Sequence, residues 1–213
     1  MNYSIRNEVP SDYNRVEEIT RNAFWDLYVP GCNEHFLAHV MRDHPDFIPE
    51  LDFVIEIDGV VAGNIMYTRS RLVGRNGNEK AILTFGPVSI LPEYQRKGYG
   101  RALISHSFEK AIGMNYDAIV IFGNPRNYVS LGFRSCVRYG VAIEGGTYPS
   151  AMLVKELRDG ALEGEKWIYH ESEVYQIDEC AAQKFDGQFP KREKCHRASQ
   201  EEFDILSHSQ IIA

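Results

Sequence analysis

The stretch Gln95-Arg96-Lys97-Gly98-Tyr99-Gly100 constrains this chain most, because it stands between a strand-like run, Ala81 to Ile90, and a helix-like run that begins near Arg101. At a strand-to-helix turn two glycines let the backbone close around an anion. The first-turn N–H groups then point at it from the positive end of the helix dipole. The segment therefore reads as a phosphate cradle. It is not the dinucleotide fingerprint, since Leu103 stands where that pattern needs its third small residue.

The residues upstream sharpen the reading. Gly86-Pro87-Val88-Ser89-Ile90-Leu91-Pro92-Glu93-Tyr94-Gln95-Arg96-Lys97-Gly98-Tyr99-Gly100 resembles the acetyl-CoA-binding core of the GNAT superfamily of N-acetyltransferases, with a complete Gln/Arg-x-x-Gly-x-Gly/Ala pattern. The resemblance implies a bulged strand whose backbone at Val88, Ser89 and Ile90 faces the pantetheine arm and the acetyl carbonyl. It also implies a loop, Gln95, Arg96, Lys97, Gly98, Tyr99, Gly100 and Arg101, whose amides hold the pyrophosphate. A bulge frees N–H groups from the ladder, and a cradle orders donors around negative charge.

A second match lies downstream. Ala118 to Phe122 reads as a buried strand stopped by Gly123-Asn124-Pro125, and Arg126 to Phe133 is similar to the family's Asn … Tyr-x-x-x-Gly-Phe segment. By that resemblance Asn124 contacts the pantetheine region and Tyr128 sits beside the thioester sulfur. Transfer to an amine expels CoA as a thiolate, which a phenol within reach can protonate. Tyr128 is one of 12 tyrosines, and its spacing to Gly132-Phe133 separates it from a merely packed ring.

Composition agrees. A chain of 213 residues suffices for one sizeable core or for a domain with an extension. A hydrophobic content of 44% and a charged content of 25% are those of a soluble globule. No apolar run reaches the roughly 18 to 20 residues that span a bilayer, and Met1 to Arg6 lacks a signal-peptide core, so the expected location is the cytoplasm, without membrane partners. Cys32, Cys136, Cys180 and Cys195 lack close pairing, which favours reduced thiols. A net charge of −7 argues against nonspecific nucleic-acid binding and suits a cationic amine and plain solubility equally.

Along the chain, Tyr3 to Val9 reads as a strand. A helix starting at Pro10-Ser11 follows, with Ser11 as cap and Val16, Ile19, Ala23 and Leu27 on one face. A second helix is expected over Asn33 to Asp43. Leu51 to Ile57 and Val60 to Leu72 form a hairpin about Asp58-Gly59, and a turn at Asn76-Gly77 leads into Ala81 to Ile90. The helix after the cradle carries Ile104, Phe108, Ala111 and Ile112 inward, and a late strand spans Ala151 to Leu157. This order matches the GNAT fold, a mixed α/β architecture of the α+β kind. The expected division is a domain over 1–157 and a C-terminal extension over 158–213 packed on it. In the extension Glu171 to Lys184 reads as a helix with Val174, Ile177, Ala181 and Phe185 inward, and Gly187 to Arg192 as a surface loop.

Other constellations are weaker. His35 and His39 lie one helical turn apart but lack a third ligand, and Cys195-His196 with Cys180 lacks CxxC spacing, so no metal is expected. Cys136 reads as a packed strand residue. Glu34, His35, Glu50 and Glu93 are candidates for the general base, and spacing singles out none of them. The resemblance thus implies an acetyl-CoA-dependent N-acetyltransferase acting directly on a primary amine of a small molecule or peptide, similar to small-molecule-type or uncharacterised bacterial members. Acetyl-CoA is the donor, and a second copy of the chain is an open option as partner. The alternative is a non-catalytic acyl-CoA sensor or interaction module.

Overall fold

The structure, a computed structural model, describes residues 2–212; Met1 and Ala213, the outer limits of the expected ranges 1–157 and 158–213, lie outside the described residues. The chain runs β1 (Tyr3–Asn7), α1 (Tyr13–Phe24), α2 (Glu34–Met41), β2 (Phe53–Ile57), β3 (Val60–Gly74), β4 (Glu79–Ile90), α3 (Tyr99–Gly113) and β5 (Ala118–Phe122). It continues with α4 (Pro125–Tyr128), β6 (Arg134–Ser135), β7 (Val141–Ala142), β8 (Met152–Glu156), β9 (Trp167–His170), α5 (Glu179–Asp186) and α6 (Ala198–His208).

The strands form one mixed sheet in the order β1-β2-β3-β4-β5-β8-β6, with β9 pairing β3 and β7. The β2–β3 hairpin turns at Asp58-Gly59, both at positive φ, as an Asp-Gly hairpin requires. β4 and β5 run parallel, joined by the α3 crossover. Among the described residues their ladder has one register, Leu83 opposite Ile119. Beyond it the two strands stop pairing and leave a fork at their carboxyl ends, the position where open α/β sheets hold ligands.

Side chains alternate across the sheet. On one face Leu83, Phe85, Ile119 and Ile121 pack with Leu103, Ile104, Phe108 and Ala111 of α3 around the fully buried Phe133. On the other, Leu72, Ile82, Ala118 and Val120 meet Trp167 and Tyr169 of β9, and Met66 meets α2 and Val174. Ile112, expected inward, is 51% exposed: it follows Ala111 by one position and so points off the stripe.

Two further expectations are corrected. Ser11 caps nothing. A 3-10 turn, Pro10–Asp12, precedes α1, and Asp12 accepts from the Val9 amide (3.0 Å) while pairing with Arg6 (2.6 Å). The single helix expected over Glu171 to Lys184 is broken. Glu173–Tyr175 is a 3-10 turn capped by Ser172, and α5 starts only at Glu179 behind Asp178, whose carboxylate accepts from the Cys180 and Ala181 amides. These two Asx/Ser caps are the local reason the periodicity misleads. Beyond Arg158 the chain contributes β9 to the sheet, and Phe185 of α5 packs on His35, Phe36 and His39 of α2.

Candidate active site

β4 carries a bulge. Ile65 faces Val88 and Tyr67 faces Phe85, so β4 holds one residue more than β3 at Gly86-Pro87. The resemblance set a bulge on this strand, and it falls just before Val88. Val88 is half-buried, the Ser89 hydroxyl meets Thr20 Oγ1 of α1 (3.1 Å), and the Ile90 carbonyl accepts from Gln95 Nε2 (2.9 Å). The Ser89 side chain and the Ile90 carbonyl are therefore already bonded within the fold, where this strand segment lies close against β3. Gly63 on β3 makes room for it, since a Cβ there would lie 2.6 Å from the Ser89 carbonyl oxygen.

The turn after β4 has the expected form. Arg96 (φ 58°) and Gly98 (φ 91°) both adopt positive φ, and Gly98 is the N-cap of α3 without a capping side chain. Gly98 has nothing within 4 Å of where a Cβ would stand, and at Gly100 that atom would meet only Ile90 Cγ1, at 3.6 Å. The helix start therefore opens on free space, as an anion site at a helix N-terminus needs. Gln95, Arg96 and Lys97 are exposed, and Lys97 folds back onto the Glu93 carbonyl (2.7 Å). The Tyr99 ring is buried edge-on against Tyr3 and Tyr94, so what this residue can offer the cradle is backbone. Arg101 donates to the Ser130 carbonyl (2.6 Å), tying the cradle to the segment that follows β5.

That segment holds Asn124 and Tyr128. Asn124 is the N-cap of α4, its Oδ1 accepting from the Arg126 amide (3.0 Å). Tyr128 is half-buried between Phe85 of β4 (5.9 Å) and Phe133 (5.8 Å), and it closes on Gly123 so tightly that a Cβ there would stand 2.6 Å from its Cε2. Burial raises the Tyr128 phenol above the ordinary tyrosine range, with Tyr28 adding to the shift. It is therefore a protonated donor at neutral pH.

Tyr28, in the loop between α1 and α2, is a neighbour that sequence reasoning passed over. Its phenol is raised by burial and then by the Glu34 carboxylate. Glu34, half-buried at the start of α2, accepts from the Asn33 amide (3.0 Å), and its own carboxyl is raised by burial. The extension supplies a second unforeseen group, Tyr175, whose hydroxyl donates to the Gly86 carbonyl at the bulge (3.3 Å) and accepts from Thr68 Oγ1 (3.3 Å). Beside it Glu171, reached by solvent, is also raised by burial. Only the folded chain brings these positions together.

The other candidates lie apart. His35 is fully buried, with Nδ1 at 3.5 Å from Cys32 Sγ and Nε2 at 3.2 Å from Asp186 Oδ1. Burial drops it to about 4, so it is a neutral packing group without access to substrate. Glu50 is exposed in the turn Pro49–Leu51, whose Pro49 carbonyl is bonded by Asn7 of β1, and Glu93 is exposed ahead of the cradle. Cys136 is buried, its thiol raised by burial, at the start of a 3-10 turn after β6 rather than in a strand. Among the described residues no group of three or more His, Cys, Asp or Glu is placed to hold a metal.

Comparison with known proteins points the same way. The "Acetyltransferase (GNAT) family" model matches residues 20–133, more than half of the chain. The uncharacterised N-acetyltransferase YhbS of Escherichia coli K12 is 26% identical over 170 residues, 78% of this chain and 96% of that protein. YjhQ, also an uncharacterised N-acetyltransferase of Escherichia coli K12, is 27% identical over 59% of this chain and 66% of its own length. The crystal structure of Escherichia coli YhbS in complex with CoA superposes with a TM-score of 0.72 at 23% identity, over 83% of this chain and 93% of that one. A GNAT acetyltransferase from Brucella melitensis in complex with acetyl-CoA superposes with a TM-score of 0.63 at 22% identity, over 82% and 98%.

Proposed function

This chain belongs to the GNAT acetyltransferase family, and from that premise we propose that it binds acetyl-CoA in the fork between β4 and β5 and transfers the acetyl group directly to a primary amine of a small molecule or peptide. One observation carries the proposal. The parallel strands stop pairing beyond Leu83 and Ile119, with the uncapped start of α3 on one side of the fork and Tyr128 on the other, joined by the Arg101–Ser130 bond. The solved relatives named above hold CoA and acetyl-CoA, which supports the same ligand here.

In this reading the amides of Arg96 to Arg101 anchor the diphosphate, Asn124 positions the arm, and the backbone of Val88 to Ile90 aligns the thioester. The amine nitrogen forms its bond to the acetyl carbon as the C–S bond breaks. The proton lost by the ammonium goes to Glu34, whose carboxyl burial has made more basic, and the departing sulfur takes a proton from Tyr128. Fixed backbone dipoles and proximity supply much of the rate. No helix among the described residues is long and apolar enough to cross a membrane, and a cytoplasmic location is part of the proposal.

Release of free CoA thiol from acetyl-CoA across a panel of primary amines tests it. Amine-dependent release is expected. Tight acetyl-CoA binding with no release for any amine would instead establish the non-catalytic module.

A further inference from the structure

Beyond Leu83, β4 loses β5 as a partner, and at Gly86-Pro87 it also leaves the ladder with β3, where Met66 alone faces the two residues. A residue inserted at a bulge is unpaired, and Pro87 has no N–H to offer. Gly86 adds freedom of its own, with a φ of 152° that only glycine takes easily. This is the stretch of β4 with the fewest ladder partners, yet it leads directly into Val88, Ser89 and Ile90.

What fixes it comes from beyond Arg158. The Tyr175 hydroxyl donates to the Gly86 carbonyl (3.3 Å) and accepts from Oγ1 of Thr68 (3.3 Å), a buried residue of β3. The turn that carries it, Glu173–Tyr175, is itself pinned. Val174 packs in one cluster with Met66, Leu37 and Met41, and the buried Ser172 donates to Asp46 Oδ2 (2.7 Å) while capping the turn. Met66 is the β3 residue facing the bulge, so Val174 and Tyr175 close on one point of the sheet from the face opposite α3. Burial raises the Tyr175 phenol above the ordinary tyrosine range, so it keeps its proton as a donor. Tyr169 of β9 provides a contrast. Its hydroxyl meets Thr84 Oγ1 (2.5 Å), which also meets Ser70 Oγ (2.7 Å), but Thr84 stands in regular register with Thr68 and not at the bulge. One phenol joins β9 to the ladder; the other holds a peptide that has left it.

Resting on the acetyl-transfer reading above, we propose that Tyr175 is a positioning residue for the reaction: by holding the Gly86 carbonyl it fixes the plane of the peptide before Pro87, and so the direction in which the backbone of Val88 to Ile90 meets the thioester carbonyl. Pro87 transmits the constraint because its ring locks φ. Fixed backbone dipoles stabilise a developing oxyanion only when they are aimed at it. The C-terminal section thereby takes part in transfer without touching the substrate, while donor binding stays with the cradle.

Acetyl-CoA labelled with carbon-13 at the thioester carbonyl and bound to the full-length protein reads this alignment by NMR without an acceptor, since a hydrogen bond to the carbonyl moves its resonance downfield of the free value. A downfield shift is expected in the wild type. Tyr175→Phe, which keeps the ring and deletes the donor, should return the resonance most of the way to the free value. Thr68→Val, which removes the hydroxyl behind the phenol, should move it part of the way. Tyr169→Phe deletes a buried hydrogen bond of the same section, and should lower the melting temperature about as much as Tyr175→Phe while leaving the resonance in place. With an amine that supports turnover, Tyr175→Phe should lower kcat about tenfold and leave acetyl-CoA affinity within about twofold. A bound resonance unmoved by Tyr175→Phe, or moved equally by Tyr169→Phe, overturns the positioning role and leaves the donor reading standing. Absence of acetyl-CoA binding in the wild type would sink the donor reading itself, and the role with it.

Discussion

On the proposed mechanism the Tyr128 hydroxyl serves the departing sulfur, so Tyr128→Phe, which keeps the ring packed on Phe85 and Phe133 and deletes only the donor, isolates that role. Turnover should fall about 10²-fold with acetyl-CoA affinity nearly unchanged, as for a group that acts as charge develops on sulfur. Steady-state kinetics beside calorimetry check it, and equal turnover would return Tyr128 to packing. Because burial raises the carboxyl of Glu34, the acid limb of kcat/KM should lie above the ordinary glutamate value of about 4.3. Glu34→Gln should lose that limb together with about 10²- to 10⁴-fold in rate; a retained limb would assign the proton to another group. Asn124 and Tyr128 were legible because each lies at a fixed distance from a glycine punctuation mark. Glu34 stood among four equal candidates, and Tyr28 and Tyr175 not at all, since their neighbours are about 100 residues away in the chain.

Elements with a clean period were readable and those set by caps were not. β5 spans the expected Ala118–Phe122, and the Asp-Gly hairpin falls where its dipeptide put it. β9, four residues of Trp-Ile-Tyr-His, is too short for its alternation to stand out, and its place in the sheet is decided by Trp167 and Tyr169 filling the hydrophobic cluster against Leu72 and Ile82. With β9 paired to both β3 and β7, the residues after Arg158 should not separate as a folded unit. Limited proteolysis should nick first in the exposed stretch 190–197 and leave β9 with the main body. Two stable, separately folded fragments meeting near Arg158 would refute this.

At the scale of the whole molecule, stability and function draw on different charges. Asp52, 4% exposed, is pushed up to about 9 by burial and then by the neighbouring Glu8 carboxylate, which shares Arg42 with Glu17. Below about pH 4 the folded and unfolded states both hold its proton; between about 4 and 9 only the folded state does, so stability falls as pH rises through that window. Asp52→Asn mimics the protonated form, keeping an acceptor for Asn64 Nδ2 (2.8 Å), and should flatten this slope in denaturant unfolding against pH; an unchanged slope would show the proton lies elsewhere. On the proposed function ligand binding rests on the cradle instead, and there Gly100→Val is informative because its Cβ meets only Ile90 at an ordinary 3.6 Å, so the fold should survive while the space proposed for the diphosphate is filled. The most direct test of the central claim is calorimetric titration of acetyl-CoA into the wild type and Gly100→Val, with melting temperature followed in parallel. Saturable binding by the wild type is expected, with stabilisation of about 2.7 kcal/mol at a hundredfold excess over Kd, and loss of most of both in the variant. No heat and no shift in the wild type, or equal binding by the two, would contradict it.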